Sequence, residues 1–440
     1  MIEIIQPRVL KGFRDFMPEA ESERAALTEV LTKVFRSFGF VPIDTPVLEY
    51  AEILLGKAGG ETEKQVYRFT DHGGRDVAMR FDLTVPFARF MAEHYGELYL
   101  PFKRYHLAKV WRGENTQRGR YREFMQCDVD IVGVDSAAAD FEILAVIRQA
   151  METLGVPDST VHLSHRGVFN RFLARAGIAE RSVEVLRIVD KLSKIGVDET
   201  KAQLTVIAGG KAAEELLEFI AGGEAFNATL ERITRLAGGP NPDSDRLAEI
   251  HAMAEACSIG DRVQLAPSIT RGLDYYTGVV FETFLDAMPE IGSVCSGGRY
   301  NDLASLYTNQ RLPGVGTSVG LDRLLAALNA MGRKNQVAAS VQAVIFNLEN
   351  SLMTEYQAAA HRLRTQGISC EVYTDQRKPG QQYTYADRKG AAFAILRGKE
   401  EKAKDIWVLK NMKTRDSSEH PDCKALASAI LAAVSPASED

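Results

Sequence analysis

The sequence predicts an α+β protein in two parts, and three stretches carry that expectation. Phe102–Gly133 reads as a long antiparallel hairpin: Tyr105, Leu107 and Lys109 alternate with His106, Ala108 and Val110, and Phe124–Val132 again has strand composition. Residues 167–235 repeat apolar side chains at helical spacing, as in Val185, Ile188, Val189, Leu192 and Ile195. From residue 341 strands and helices alternate, the pattern of a small α/β domain with a largely parallel sheet. The expected boundaries are 1–334 for the first part, with the helical block near 167–235, and 341–436 for the second.

Composition narrows the class. At 440 residues, 45% apolar and 25% charged, the chain has the make-up of a globular protein with ample core. No apolar run is long enough to span a bilayer, and Met1–Phe16 lacks the apolar stretch of a secretory signal. Cys127, Cys257, Cys295, Cys370 and Cys423 are scattered, with no CxxC and no zinc spacing. A reducing, cytoplasmic setting without structural metal is therefore expected. The net charge of −6 argues against a non-specific nucleic-acid binder, but residues 361–415 carry 13 Lys/Arg against 6 Asp/Glu. That local +7 on an acidic body of −13 suits docking of a polyanion at one end.

In chain order, residues 19–38 form a helix with Leu27, Val30, Leu31, Val34, Phe35 and Phe38 three and four apart, stopped by Gly39. Phe40–Tyr50 is extended and punctuated by Pro42 and Pro46, which places it at an edge or an interface. After a loop-like stretch at 56–65, Val66–Phe69 and Asp76–Arg80 read as strands around the turn Asp71-His72-Gly73-Gly74. Asp82-Leu83-Thr84 leads into a helix near Val85-Pro86, where Asp82 and Thr84 either cap the helix or face a ligand. The hairpin tip, Arg112–Arg122, holds Arg112, Arg118, Arg120 and Arg122 with Gly113 and Gly119 as breakers. Planar, permanently charged guanidinium forks suit phosphate; an exposed hairpin laced with ion pairs is the plainer alternative. On the return strand Asp128 and Asp130 share a face, and a buried Asp130 would need a polar or cationic partner.

Residues 138–155 are a helix and Thr160–Ser164 a strand, while Gly238–Pro242 reads as a linker. Ile269–Glu282 sets Arg271, Gly272, Asp274, Tyr275 and Tyr276 at the entry to a β-rich run, either a pocket wall or a strand edge with core tyrosines. Gly297-Gly298 marks a close backbone approach. Leu312–Leu328 runs from a glycine-dense strand or turn into a helix with Arg323 in its first turns. The helix dipole disfavours a cation there, so Arg323 is either a surface residue or has an anion in front of it. In the last part, 341–348, 369–373, 391–396 and 405–409 are strands, and 354–365, 382–389 and 423–433 helices.

These pieces together resemble a known family. Arg112-x-Glu114 on a hairpin and Gly320-Leu321-Asp322-Arg323 entering a helix are similar to motifs 2 and 3 of class II aminoacyl-tRNA synthetases, and the helix–strand–Pro46 segment to their motif 1. RGLDYYTGVVFE (Arg271–Glu282), SGGRYNDL (Ser296–Leu303) and RFDLTVPFAR (Arg80–Arg89) resemble the signatures of the histidyl-tRNA synthetases. The resemblance spans nearly the whole chain and implies a central antiparallel sheet flanked by helices, a helical insertion and a C-terminal anticodon-binding domain. It also implies ATP, Mg²⁺, L-histidine and tRNA-His as cofactor, substrates and partners, and a homodimer joined through motif 1.

By position, the resemblance assigns Arg112 to the ATP α-phosphate and the histidine carboxylate, Glu114 to the adenine amino group, and Phe124 with Arg323 to the two faces of adenine. Arg120 and Arg323 would hold the outer phosphates, with Tyr121 also in the ATP site. Asp82, Thr84 and Gln126 would bind the histidine α-amino group, with Leu83 also in the histidine site; Asp130 and Tyr276 would face the imidazole with Tyr275 beside them. Arg271 would be the catalytic arginine. The implied metal ligands are not specified. At the tip, many bacterial relatives read Arg-His-Glu-Arg-Pro, whereas this chain has Arg112-Gly113-Glu114-Asn115-Thr116, so the resemblance does not specify which acceptor-end bases are read. A rival reading is the non-catalytic regulatory subunit of ATP phosphoribosyltransferase, which shares the catalytic fold; such regulators typically lack a C-terminal module and parts of the signature.

Overall fold

Among the described residues the expected hairpin lies within the largest sheet, of eight strands. The computed structural model describes residues 4–56, 61–116, 119–223, 225–269, 275–333 and 341–434. The chain separates into two compact units, Met1–Asn335 and Gln336–Asp440.

The strands of the first unit are β1 (Val41–Pro42), β2 (Leu48–Tyr50), β3 (Arg68–Thr70), β4 (Asp76–Met79), β5 (Phe102–Trp111), β6 (Glu123–Val132), β7 (Ser159–His165), β8 (Val263–Leu265), β9 (Val279–Leu285), β10 (Cys295–Arg299) and β11 (Gly314–Gly320). Eight of them form one sheet in the order β1-β5-β6-β11-β10-β9-β7-β8. Its interior pairs are antiparallel, while β1 pairs with β5 and β8 with β7 in parallel at the two edges. The β5–β6 register runs from Phe102 opposite Val132 to Trp111 opposite Glu123, with Arg104 directly across from Asp130.

Alternation along β6 decides what each face does. Cys127, Val129 and Ile131 join Tyr105 in the main core, against Leu27, Leu31, Val34 and Phe35 of the helix Pro18–Ser37 and Ile143, Leu144 and Ile147 of the helix Ala137–Thr153. Burying each of those leucine-sized side chains stabilises the fold by about 1.5–3 kcal/mol. Gln126, Asp128 and Asp130 therefore emerge on the opposite face. Pro42 sits on an edge strand, where its missing N–H costs no interior ladder bond.

Between 166 and 236 the described residues are mostly helical as expected, in five α-helices and one short 3-10 helix, the last being Phe226–Leu236. Gly238–Pro242 is a correction: it is a tight turn into a further helix, Pro242–Ala256, rather than a linker. Asn241 caps that helix reciprocally with Ser244, and Leu247, Ile250 and Ala254 belong to the main core.

In the second unit β12 (Ala343–Ile345), β13 (Cys370–Val372), β14 (Phe393–Leu396), β15 (Trp407–Asn411) and β16 (Ser417–His420) make a sheet in the order β13-β12-β14-β15-β16. The first three are mutually parallel, but β15 and β16 are antiparallel, so this sheet is mixed rather than largely parallel. The polar strand Ser417-Ser418-Glu419-His420 has no apolar alternation by which sequence could reveal it.

Candidate active site

A cleft of about 1230 Å³ opens on the polar face of the large sheet. Its floor is built from the middle strands. Gln126 and Asp130 rise from β6, Thr317 and Ser318 from β11, and Gly297 supplies bare backbone from β10. That bareness is required: a Cβ on Gly297 would lie 2.1 Å from the Gly316 carbonyl oxygen, and one on Gly316 would lie 1.8 Å from Asp130 Oδ1. The close approach expected at Gly297-Gly298 is thus found, and Gly298 lets the Tyr276 ring lie against β10.

One end of the cleft is rich in carboxylate. Asp82, 1% exposed, accepts the Val85 N–H at 3.1 Å and the Tyr275 hydroxyl proton at 3.3 Å. One oxygen thus holds the first turn of the helix Thr84–His94, the capping role that sequence offered, and the other meets Tyr275 at the wall of the cleft. Asp130 receives the Tyr300 hydroxyl on Oδ1 and lies 2.7 Å from Arg104 across the hairpin. Arg104 is wholly buried, stacks on Phe87 at 4.2 Å, and lies 4.0 Å from Asp128. Burial pushes the carboxyls of Asp82 and Asp130 up from the usual range; the Val85 N–H and Arg112 pull Asp82 back, and Arg104 pulls Asp130 back. Asp128 is pushed up to about 7, first by burial and then by the neighbouring Asp130 charge, while Arg104 opposes. Asp128 does not line the cleft and Asp130 does, which separates two residues that shared a parity in sequence. Gln126 donates to Ser318 Oγ at 2.9 Å, leaving its own oxygen without a partner.

The other end is cationic. Arg112 donates Nε–H to the Phe81 carbonyl at 2.8 Å and stacks 5.2 Å from the Phe124 ring centre. Glu114 lies between Arg112 and Arg120, at 3.8 and 3.7 Å. Arg323 donates to the Ser293 carbonyl from the first turn of the helix Leu321–Ala330; burial, then Arg120 and Arg112, lower its proton affinity. Glu114 and Glu282 offset only part of this positive charge: three guanidinium groups face two carboxylates.

Asp82, Thr84, Arg112, Glu114, Arg120, Tyr121, Phe124, Gln126, Asp130, Tyr275, Tyr276 and Arg323 all line the one cleft. Leu83 is fully buried beneath it, its carbonyl 3.4 Å from Arg104. Arg271, like Arg118, lies outside the described residues. Sequence reasoning missed Arg104 and assigned no role to Tyr300, the two partners of Asp130. Hairpin symmetry held the signal for Arg104: a tip closing Arg112 on Arg122 centres the hairpin at residue 117 and sets 104 opposite 130. Among the described residues no helix is long and apolar enough to cross a membrane.

Two family models cover most of the chain: Histidyl-tRNA synthetase matches residues 12–324 and Anticodon binding domain residues 342–431. The chain belongs to the histidyl-tRNA synthetase family. It is 54% identical to a Treponema denticola protein named Histidine--tRNA ligase, over 97% of this chain and 98% of that one. A solved histidyl-tRNA synthetase from Nostoc sp. PCC 7120 matches 98% of this chain and 100% of its own, with a TM-score of 0.86 and 29% identity. A Bacillus halodurans structure titled ATP phosphoribosyltransferase regulatory subunit/histidyl-tRNA synthetase has a TM-score of 0.74 over 87% of this chain and 97% of its own. At 22% identity it shows the fold alone. The function of this chain is accordingly that of an aminoacyl-tRNA ligase, a histidine–tRNA ligase, and no finding favours the regulatory-subunit reading.

Proposed function

We propose that the cleft performs both steps of histidine–tRNA ligation, with the residues divided between its ends by charge. The observation that carries this is the electrical split: carboxylates and Gln126 at one end, arginines at the other. Histidine brings an ammonium and a ring N–H that seek acceptors, and ATP brings phosphates that seek guanidinium. Asp82, Thr84 and Gln126 take the α-ammonium; the unpartnered Gln126 oxygen suits it. Asp130 accepts a ring N–H, held in place by Arg104 and Tyr300, with Tyr275 and Tyr276 walling the ring. Arg112 bridges the histidine carboxylate and the α-phosphate, Glu114 reads the adenine amino group, and Phe124 with Arg323 encloses the base. Tyr121 borders the ATP site, and Arg120 with Arg323 holds the outer phosphates.

In the first step the carboxylate oxygen of histidine attacks the α-phosphorus, and the bond to the β-phosphate oxygen breaks to release pyrophosphate. Both reactants are anions, so the barrier is lowered by arginines that position and neutralise without exchanging protons. Arg271 is assigned to this role on the family resemblance. In the second step the terminal ribose hydroxyl of tRNA-His attacks the adenylate carbonyl and AMP leaves. An adenylate phosphate oxygen serves as the proton acceptor, since no His or Cys stands out for it.

Among the described residues no group of three His, Cys, Asp or Glu could hold a metal by itself. Glu282 lines the cleft, which suits a Mg²⁺ carried in on the phosphates and touched by one carboxylate. Bound there, it supplies charge neutralisation to the phosphates. Residues 341–436 bind the tRNA through their basic excess, in a cytoplasmic enzyme. Val47, Leu48, Tyr50 and Phe69, all 40% exposed or more, give the segment after Pro46 an apolar surface suited to a homodimer.

The test is ATP–pyrophosphate exchange with each amino acid in turn, followed by charging of tRNA. Exchange that requires histidine, and charging of tRNA-His alone, are expected. Absence of histidine-dependent exchange would sink the proposal.

A further inference from the structure

Arg14 sits in the irregular segment before the first helix, distant in sequence from every motif of the site. Its guanidinium lies 3.7 Å from the ring centre of Tyr121, a cleft residue, and 4.3 Å from that of Phe16. It is paired with Asp322, whose side chain is 4% exposed. The second oxygen of Asp322 accepts the backbone N–H of Met125 at 2.8 Å. Asp322 is the chain neighbour of Arg323, and Met125 that of Phe124. One carboxylate thus ties together the backbone beside both faces of the proposed adenine slot.

The same segment is fastened to the hairpin at a second point. Arg122 donates its backbone N–H to the Gly12 carbonyl at 2.8 Å. Gly12 has φ +89°, and a Cβ there would strike Arg122 at 2.7 Å, so only glycine lets the segment lie this close. Arg24 of the first helix stacks on Phe16 at 3.9 Å and closes the assembly from behind.

We infer that Arg14 is a positioning residue for ATP: through Asp322 it sets the separation of Phe124 and Arg323, and through Tyr121 it fixes the start of β6. The inference rests on the adenine-slot reading given above. A group that fixes the slot's width acts on ATP and leaves the histidine end alone, because Asp82, Gln126 and Asp130 are held by Tyr275, Ser318, Arg104 and Tyr300 and not by this segment.

The experiment measures exchange kinetics with ATP and histidine varied separately, using the full chain. Arg14→Ala is expected to raise the ATP KM about tenfold, the scale of a sub-ångström misplacement, with little change for histidine. Asp322→Asn, which keeps an acceptor for Met125 N–H but loses the ion pair, should act in the same direction. Arg14→Lys should recover most of the loss, because an ammonium can still pair with Asp322. The double variant should be no worse than Arg14→Ala alone, because the Asp322 change breaks a link that Arg14→Ala has already removed. Phe124→Leu and Arg323→Ala test the slot itself. If these two raise the ATP KM while Arg14→Ala and Asp322→Asn do not, Arg14 has no positioning role. If neither slot variant affects ATP, the slot reading falls and this inference with it. Equal loss for both substrates in Arg14→Ala would mean general disruption and would also overturn it.

Discussion

Gly316→Ala is the sharpest probe of how the histidine end is assembled. The added Cβ would stand 1.8 Å from Asp130 Oδ1, 2.4 Å from its Cγ and 2.7 Å from the Val129 carbonyl oxygen. Ordinary contact begins at 3.4 Å, so Oδ1 would have to retreat by about 1.6 Å. It has nowhere to go. Tyr300 holds that oxygen, Arg104 holds the other at 2.7 Å, and Val129 is β6 backbone paired on both sides. The strands must part or Asp130 must leave its partners, at about 1–3 kcal/mol for overpacking. A ring acceptor displaced by an ångström or more should raise the histidine KM about a hundredfold. The ATP KM should change little, because the arginine end contacts neither residue. Asp130→Ala should give the same pattern, and Asp128→Ala much less of it. The assay is histidine-dependent ATP–pyrophosphate exchange with each substrate varied, alongside thermal unfolding. A Gly316→Ala enzyme with an unchanged histidine KM would refute the placement of Asp130 against the imidazole.

Arg271→Ala should slow adenylate formation by at least about a hundredfold while histidine binding suffers less; near-normal exchange would remove Arg271 from the mechanism. Ending the chain near residue 335 should leave some exchange activity and weaken tRNA binding, whose dependence on salt in the full chain reports counterion release. Equal charging by the truncated and full chains would contradict the C-terminal assignment. The pH dependence of stability tests Asp128. Its folded pKa lies above its unfolded value, so the stability it contributes is complete in acid and is lost as pH rises through about 7. Asp128→Asn removes that titration, and the parent should lose melting temperature relative to the variant between pH 5 and pH 8. Parallel melting curves across that range would count against it.

Much of this was legible because local chemistry and tertiary placement agreed. Alternation along Phe102–Val132 gave both strands of the hairpin, and the polar breakers gave its tip. The demand that a buried Asp130 find a cation was readable too, and register alone names Arg104 as the answer. What was hidden is long-range or chemically quiet. Tyr300 reaches Asp130, and Arg14 reaches Asp322, from parts of the chain with no sequence link to their partners. Gly238-Gly239-Pro240-Asn241-Pro242 misled because proline and glycine mark both linkers and helix entries; Ser244, three residues after Asn241, was the distinguishing sign. β16 escaped because a sheet-edge strand exposed to solvent needs no apolar period.

The buried guanidinium of Arg104 bears on how this enzyme's choice of amino acid could ever drift. It pairs with Asp130 and lies near Asp128, while Asp82 is offset first by the Val85 N–H and Arg112 and only then by Arg104. Exchanging one carboxylate for an apolar residue leaves the cation its other partner, while exchanging Arg104 strips Asp130 and Asp128 of their buried counter-charge. On a mutational route towards a neutral substrate the costly step is therefore a change at Arg104, not a change at any single carboxylate. Selectors seeking such a route should vary the carboxylates and keep Arg104, because a library opened at the cation would be thinned by instability at its first round.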